Sequence, residues 1–252
     1  MPVIWGRHVV NEALRARRTV RRVYLGARPT AGSPLGEIAD LARRAHVPVQ
    51  ILDRRALDRI ADTDRHQNVA AEVLDYEYAD LDDVLVVAQR RNEPPLLLLL
   101  DQLQDPQNLG SLIRTAEAVG VHGVVIPRHR AAGVTPAVER ASAGALQHVI
   151  VAEVTNLNQT VDALKKQNIW VVGLDVAGKD RLEAVDAELP LCVVVGSEGR
   201  GISRLLAEKC DFLVGLPTRG KVGSLNAAVA GSIVLYDLFR RRSASISHGR
   251  PA

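Results

Sequence analysis

Short runs of Leu and Val that stop at polar, glycine-bearing loops constrain this chain more than any other feature. Leu191–Val195 runs into GSEGRG, and residues 212–216 run into PTRGKVGS. Earlier, the five leucines Leu96–Leu100 give way to DQLQDPQN. Apolar runs this short, with no polar alternation, read as strands buried on both faces, as in a parallel sheet. Further strands are expected at 123–126, 148–151 and Trp170–Leu174, with helices at 109–119, 138–146, 161–166, 203–210 and from 224 onward. Strand and helix alternate as a parallel α/β sheet requires. In open sheets of this class, ligands collect outside the carboxyl ends of the strands. The two C-terminal loops, carrying Ser197, Glu198, Arg200, Arg219, Lys221, Ser224 and Asn226, are therefore a candidate site.

Residues 1–76 read as a separate, smaller α/β domain. Its helices are expected at 9–17, 34–46 and Arg54–Ala61, and its strands at 22–25, 47–52 and Val69–Val73. Ser33 followed by Pro34 is a helix start. Residues 77–95 read as a linker with a helical patch at 81–88, closed by Pro94 and Pro95, which no helix continues through. Residues 96–252 then form the second domain. With 252 residues, 47% of them apolar, the chain can fill two cores.

Several classes are disfavoured. The seven histidines and two cysteines match no zinc spacing, so no metal is expected. Two cysteines make no disulfide framework, and residues 1–7 lack the order of a secretory signal, which points to the cytoplasm. The leucine run is too short to span a bilayer. The 196–201 loop lacks a P-loop ending, and no GxSxG elbow is present. Net charge is +3, with Arg15, Arg17, Arg18, Arg21 and Arg22 close together and Arg240, Arg241 and Arg242 consecutive. Each cluster reads either as a polyanion contact or as a solvated helix end.

The stretch after Leu100 places Asn108 in a loop and Arg114 on the first two turns of the next helix. A helix start near an amide and a guanidinium suits a phosphate or carboxylate. Arg114 could equally pair with Asp105 or Glu117. His66, in the basic turn RHQN, reads either as a functional residue or as a plain loop histidine.

Three segments are familiar in combination: NLGSLIRTA at 108–116, VGSEGRGI at 195–202 and LPTRGKVGSLN at 216–226. Together they resemble the three motifs of the SpoU (TrmH) branch of the SPOUT superfamily of RNA 2′-O-ribose methyltransferases. IWGRHVVNEAL at 4–14 and RHQNVAAEV at 65–73 are similar to the substrate-binding domain of the RlmB-type 23S rRNA guanosine enzymes. The resemblance covers almost the whole chain. It implies a SPOUT α/β-knot, a parallel sheet with a deep trefoil knot, behind an L30e-like RNA-binding domain. It also implies a homodimer that binds S-adenosylmethionine.

Carried over by position, Asn108, Arg114, Glu198, Ser224 and Asn226 match polar active-site residues. Leu174, Gly196, Ser197, Gly199, Leu216, Pro217, Ser224 and Leu225 match the cofactor contacts. Arg7, Arg15, Arg18, Arg65, His66 and Arg114 are the expected RNA contacts. The resemblance assigns proton removal to Arg114; a charged Arg114 gripping a phosphate is the alternative. The implied activity is methyl transfer to a guanosine 2′-hydroxyl of 23S rRNA, free or in a ribosome assembly intermediate, and so rRNA processing. A tRNA guanosine enzyme, a resistance-type enzyme acting on 23S adenosine and a non-catalytic assembly factor are the alternatives. The chain departs from the pattern at Ala227 and Ala228, where Val and Ser are usual, at Thr218 for Met, and at Asn68, where Gly is frequent.

Overall fold

The computed structural model describes residues 1–16, 19–221 and 223–248. The chain divides into two compact units. Met1–Glu77 and Val134–His148 form one, and Tyr78–Gly133 and Val149–Ala252 the other.

The first unit carries a four-stranded sheet in the order β1-β4-β2-β3, with β1 Val3–Trp5, β2 Val20–Leu25, β3 Val49–Ile51 and β4 Val69–Val73. Strand β4 pairs antiparallel with β1 and β2, and β3 adds parallel to β2 as an exposed edge. Helices α1 (Arg7–Arg15) and α2 (Pro34–Arg44) share one core with the sheet, built on Val10, Ala13, Leu25, Ile38 and Ala42. Ser33 caps α2 by accepting from the Gly36 N–H, with Pro34 at its first position. Helix α3 (Arg54–Ala61) places Leu57 and Ala61 in a second cluster with Tyr24 and Ala70.

Residues 134–148, expected in the second domain, belong to this unit. Helix α6 (Pro136–Ala141) sets the Arg140 guanidinium 4.5 Å from the centre of the Trp5 ring. A few residues on, His148 Nε2 meets Glu12 at 3.2 Å. The cation–π contact and the His148–Glu12 hydrogen bond give the segment its place. The expected linker also differs: α4 (Leu81–Arg91) is part of the second unit's core. Val84 and Leu85 are buried there with Leu97, Leu99 and Val125.

The second unit is built on six parallel strands in the order β10-β8-β9-β5-β6-β7. They are β5 Leu96–Leu100, β6 Gly123–Pro127, β7 Val151–Val154, β8 Trp170–Leu174, β9 Leu191–Val195 and β10 Phe212–Val214. Strands β5 and β9 lie side by side at the centre, fully buried, which is why neither alternates polar with apolar residues. Each buried leucine contributes about 1.5–3 kcal/mol. Helices α5 (Pro106–Ala118), α7 (Leu157–Lys166), α8 (Arg204–Ala207) and α9 (Ala227–His248) complete the unit. Cys192 and Cys210 are free thiols, and burial pushes the Cys210 thiol up to about 12, which disfavours its thiolate.

The fold class is the α/β arrangement expected. Helix α5 begins three residues earlier than the spacing suggested, because Asp105 caps it, accepting from Gln107 N at 3.0 Å, and Pro106 opens it. Helix α9 begins at Ala227 rather than 224, and β7 at Val151 rather than 148. One crossing matters for the site. Asp180 bridges Val214, and Gly178 and Gly215 meet backbone to backbone, so that a Cβ on Gly178 would lie 2.6 Å from Gly215 N.

Candidate functional site

Parallel strands deliver their following loops to one edge, and here the loops after β5, β8, β9 and β10 line a common region. The loop after β9 is folded back on itself. Ser197 N donates to Gly201 O at 3.1 Å and Gly201 N to Ser197 O at 2.9 Å. Gly199 and Gly201 take φ of 77° and 64°, and a Cβ on Gly196 would come within 2.1 Å of the Gly201 backbone. Only glycine permits this closure, and it leaves Glu198 at the tip of the hairpin.

Glu198 Oε1 accepts from Asn108 Nδ2 at 2.9 Å and from Asn226 Nδ2. Asn226 Nδ2 also donates to Asn108 Oδ1 at 2.9 Å, and Asn226 Oδ1 accepts from Val229 N at 3.1 Å. Three side chains from distant parts of the chain thus close a triangle of hydrogen bonds around one carboxylate oxygen. Asn108 is buried and sits in the first turn of α5, not in the loop before it, because the Asp105 cap starts the helix earlier. Arg114 accordingly falls two turns further along α5, exposed. Among the described residues it forms no ion pair with Asp105 or Glu117.

Three hollows meet at this cluster. One of about 460 Å³ is lined by Leu174, Gly196, Ser197, Glu198, Gly199, Leu216, Ser224 and Leu225. Pro217 is not part of that lining, whereas its neighbour Thr218 is. Apolar side chains and the backbone of glycine-bearing turns make a wall that a flat heteroaromatic ring and an aliphatic sulfonium both fit. A second hollow, of about 810 Å³, runs between α5 and α9 past Asn108, Arg114, Asn226, Ile233 and Tyr236. A third, of about 350 Å³, lies by the loop after β5. Asp101, the residue that ends the leucine run, is buried and accepts from Ser203 N at 2.7 Å. It ties the loops after β5 and β9 together; a carboxylate straight after five leucines was its signal in the sequence.

The expected RNA contacts lie in the first unit, apart from Arg114. Arg7 and Arg65 are exposed, and Arg7 Nε donates to Gln67 O at 3.2 Å. Arg15 is exposed and paired with Glu12 at 3.0 Å. His66 is placed differently from expectation: it is 1% exposed, its Nε2 meets Asp58 at 2.8 Å and its Nδ1 accepts from Asn68 N at 3.0 Å. With both nitrogens engaged it holds the turn and presents no ring to RNA. Arg18 lies outside the described residues. Arg241 and Arg242 donate to backbone carbonyls at 182–189 and 94–95, so this cluster is a staple.

Residues 95–236 match the family model described as the SpoU rRNA Methylase family, and residues 3–79 match RNA 2′-O ribose methyltransferase substrate binding. YacO of Bacillus subtilis, named for the TrmH family of tRNA/rRNA methyltransferases, is 44% identical over 94% of this chain and 95% of its own. A Staphylococcus saprophyticus protein named for the same family is 42% identical over 96% of each chain. Among solved structures, the SpoU methyltransferase AviRb of Streptomyces viridochromogenes with its cofactor AdoMet superposes at a TM-score of 0.81, 27% identical, over 96% of this chain and 90% of that one. A TrmH-family protein of Porphyromonas gingivalis gives 0.74 at 28% identity, over 95% and 89%.

Proposed function

The chain belongs to the SpoU rRNA Methylase family and is an S-adenosylmethionine-dependent RNA methyltransferase; from that premise we propose that it methylates a ribose 2′-hydroxyl, that of a guanosine in 23S rRNA. The observation that carries the reading is the Asn108–Glu198–Asn226 triangle, whose Glu198 lines the 460 Å³ hollow. Bound in that hollow, S-adenosylmethionine supplies a methyl group already activated on sulfur.

The chain's own residues then have two tasks, in-line placement of the acceptor and removal of one proton. A guanidinium keeps its proton in proteins. Arg114 is therefore assigned to the phosphate beside the target ribose. The hydroxyl oxygen bonds to the methyl carbon as the carbon–sulfur bond breaks, and the hydroxyl proton passes to an acceptor-only group. Glu198 is that group: its Oε1 is engaged by two amides, which hold the carboxylate in place while it takes the proton. Ser224, on the same wall, orients the ribose. The first unit supplies RNA affinity through Arg7, Arg15 and Arg65, by contacts that salt weakens. The enzyme acts as a homodimer in the cytoplasm, during rRNA processing, with α9 at the interface.

The test is transfer of a tritiated methyl group from the cofactor to transcribed 23S rRNA and, separately, to tRNA, followed by alkaline hydrolysis. Methylation of a 2′-oxygen removes the nucleophile that alkali uses to cut the next phosphodiester. Label in alkali-stable dinucleotides from 23S rRNA is the expected result. Label confined to tRNA would move the substrate, and label in alkali-labile mononucleotides would overturn ribose methylation.

A further inference from the structure

Two of the three hollows at the Asn108–Glu198–Asn226 cluster have an occupant in the function proposed above, the cofactor in one and a second protomer against the other. The third differs in kind. Leu103 apart, its lining is polar: Gln102, Gln104, Asp105 and Arg200 join Asn108, Ser197 and Glu198. Its volume, about 350 Å³, lies within the range of small-molecule sites, which starts near ~300 Å³.

The loop that forms it is pinned. Asp101 accepts from Ser203 N at 2.7 Å, and Leu103 O accepts from Ala132 N at 2.8 Å. Between these ties Gln102 is held at φ 57°, in the left-handed region that a residue with a Cβ enters at a cost of about 1–2 kcal/mol. Such a conformation persists where neighbours over-determine it, and functional sites are where it gathers.

We propose that this recess seats the base of the nucleotide whose ribose is methylated, and that Asp105 makes the site selective for guanine. The inference rests on the RNA methyl-transfer reading. A ribose held against Asn108 and Glu198 must place its base within one nucleoside length of them. The 810 Å³ hollow exposes mainly apolar surface, from Val229, Ile233 and Tyr236 among others, and of its polar lining Thr115 is paired with Ser232, Arg240 with Asp237, and Arg114 is assigned to the phosphate. The polar recess offers donors and acceptors.

Guanine presents two adjacent donors, N1–H and the N2 amine, beside the O6 acceptor. A carboxylate accepts both donors at once. Asp105 uses Oδ1 for the Gln107 N–H, and each carboxylate oxygen has two acceptor sites. The group therefore keeps the capacity to take the pair. Gln102 or Arg200 donates to O6. Adenine would turn the N1 lone pair toward the same carboxylate, and uracil brings one donor flanked by two acceptors. Both leave a polar group unpaired, and that penalty is the source of discrimination.

The experiment uses the full-length enzyme, tritiated cofactor, and a mixture of transcribed 23S rRNA and tRNA digested to nucleosides. Label in 2′-O-methylguanosine alone is the expected outcome. Label in another methylated nucleoside overturns the pocket while leaving RNA methylation standing; label in no RNA overturns both. Asp105→Asn separates base reading from structure, because Asn caps a helix as well as Asp does. In this variant kcat/KM is expected to fall about 10–100-fold, the loss of one bidentate base contact, with cofactor Kd and melting temperature unchanged. Transcripts carrying inosine, which lacks the N2 amine, should be poorer substrates for the wild type and no worse than guanosine ones for Asp105→Asn. Undiminished kcat/KM, or an equal loss of cofactor affinity, overturns the assignment.

Discussion

Asn68 takes a backbone conformation that few side chains accept, φ 63°, beside Gln67 at φ 56°. Asn is among the residues that tolerate the left-handed region best after Gly, so it can stand where the family frequently has Gly. Its N–H is paired with His66 Nδ1 and its carbonyl with Gly26 N, so the turn is fixed from both sides. The same fixing buries His66. Sequence could not show this, because a polar turn and a pinned histidine read alike until Asp58 and Asn68 are placed around the ring. The candidate cluster was more legible: Asn108, Glu198 and Asn226 stand in three separated segments, and only their mutual hydrogen bonds needed coordinates. Arg114 borders the α5–α9 hollow and not the 460 Å³ hollow proposed for the cofactor. Arg114→Ala is accordingly expected to lower kcat by about 10²–10³-fold, as loss of one charge-stabilising donor does. Cofactor affinity, read by equilibrium dialysis, should be unchanged. Near-normal turnover would remove Arg114 from the reaction.

At the scale of elements, burial on both faces made the central strands readable. Leu96–Leu100 and Leu191–Val195 begin and end where their apolar runs do. Helix ends were less readable, since caps such as Asp105 act through one side-chain hydrogen bond that carries no periodicity. Joints between elements were not readable at all. Arg242 donates to the carbonyls of Pro94, Pro95, Ala187 and Leu189, which fastens the end of α9 to the start of β5. Arg242→Ala leaves four acceptors without their donor and should cost about 2–4 kcal/mol in urea unfolding. An unchanged midpoint would mean that water replaces the guanidinium freely.

His122 makes a second joint. It is buried, its Nδ1 accepts from Leu96 N at 3.0 Å, and its Nε2 meets Glu93 at 3.0 Å. Burial, opposed by Glu93, holds the imidazole below its usual value near 6.5, and a proton on Nδ1 would face the Leu96 N–H. The folded state therefore prefers the neutral ring. Its contribution is complete above pH 6.5 and is lost as pH falls through the depressed folded value. The melting temperature should drop between pH 7 and 5. His122→Asn keeps an acceptor near the Nδ1 position without titrating, and should show a shallower drop; parallel curves would assign the acid sensitivity elsewhere.

For the whole molecule, strand order was the part least open to inspection of the sequence. Alternation gives strands and helices, but nothing local states that β10 joins β8 or that β5 and β9 lie side by side. What pointed to the fold was motif resemblance, not patterning, and neither stated the strand order. The same holds for assembly. On α9, Val229, Ile233 and Tyr236 are 48%, 44% and 59% exposed, and Leu225, just before the helix, is 40% exposed. Their spacing puts them along one stripe of the helix. Single exposed apolar residues need no account, whereas a contiguous stripe does. A twofold interface uses the same patch on both chains, so one substitution is felt twice. Ile233→Lys places a cation in the hollow that already holds Arg114 and Arg240, and does so on both sides of the axis. Light scattering should give twice the 27.3 kDa chain mass for the wild type and a single chain mass for the variant. Thermal unfolding of the protomer should persist, since the side chain is half exposed, while methyl transfer should fall along with the dimer. A wild type that is monomeric at micromolar concentration and still transfers methyl groups would show that one chain suffices, and α9 would then need another partner.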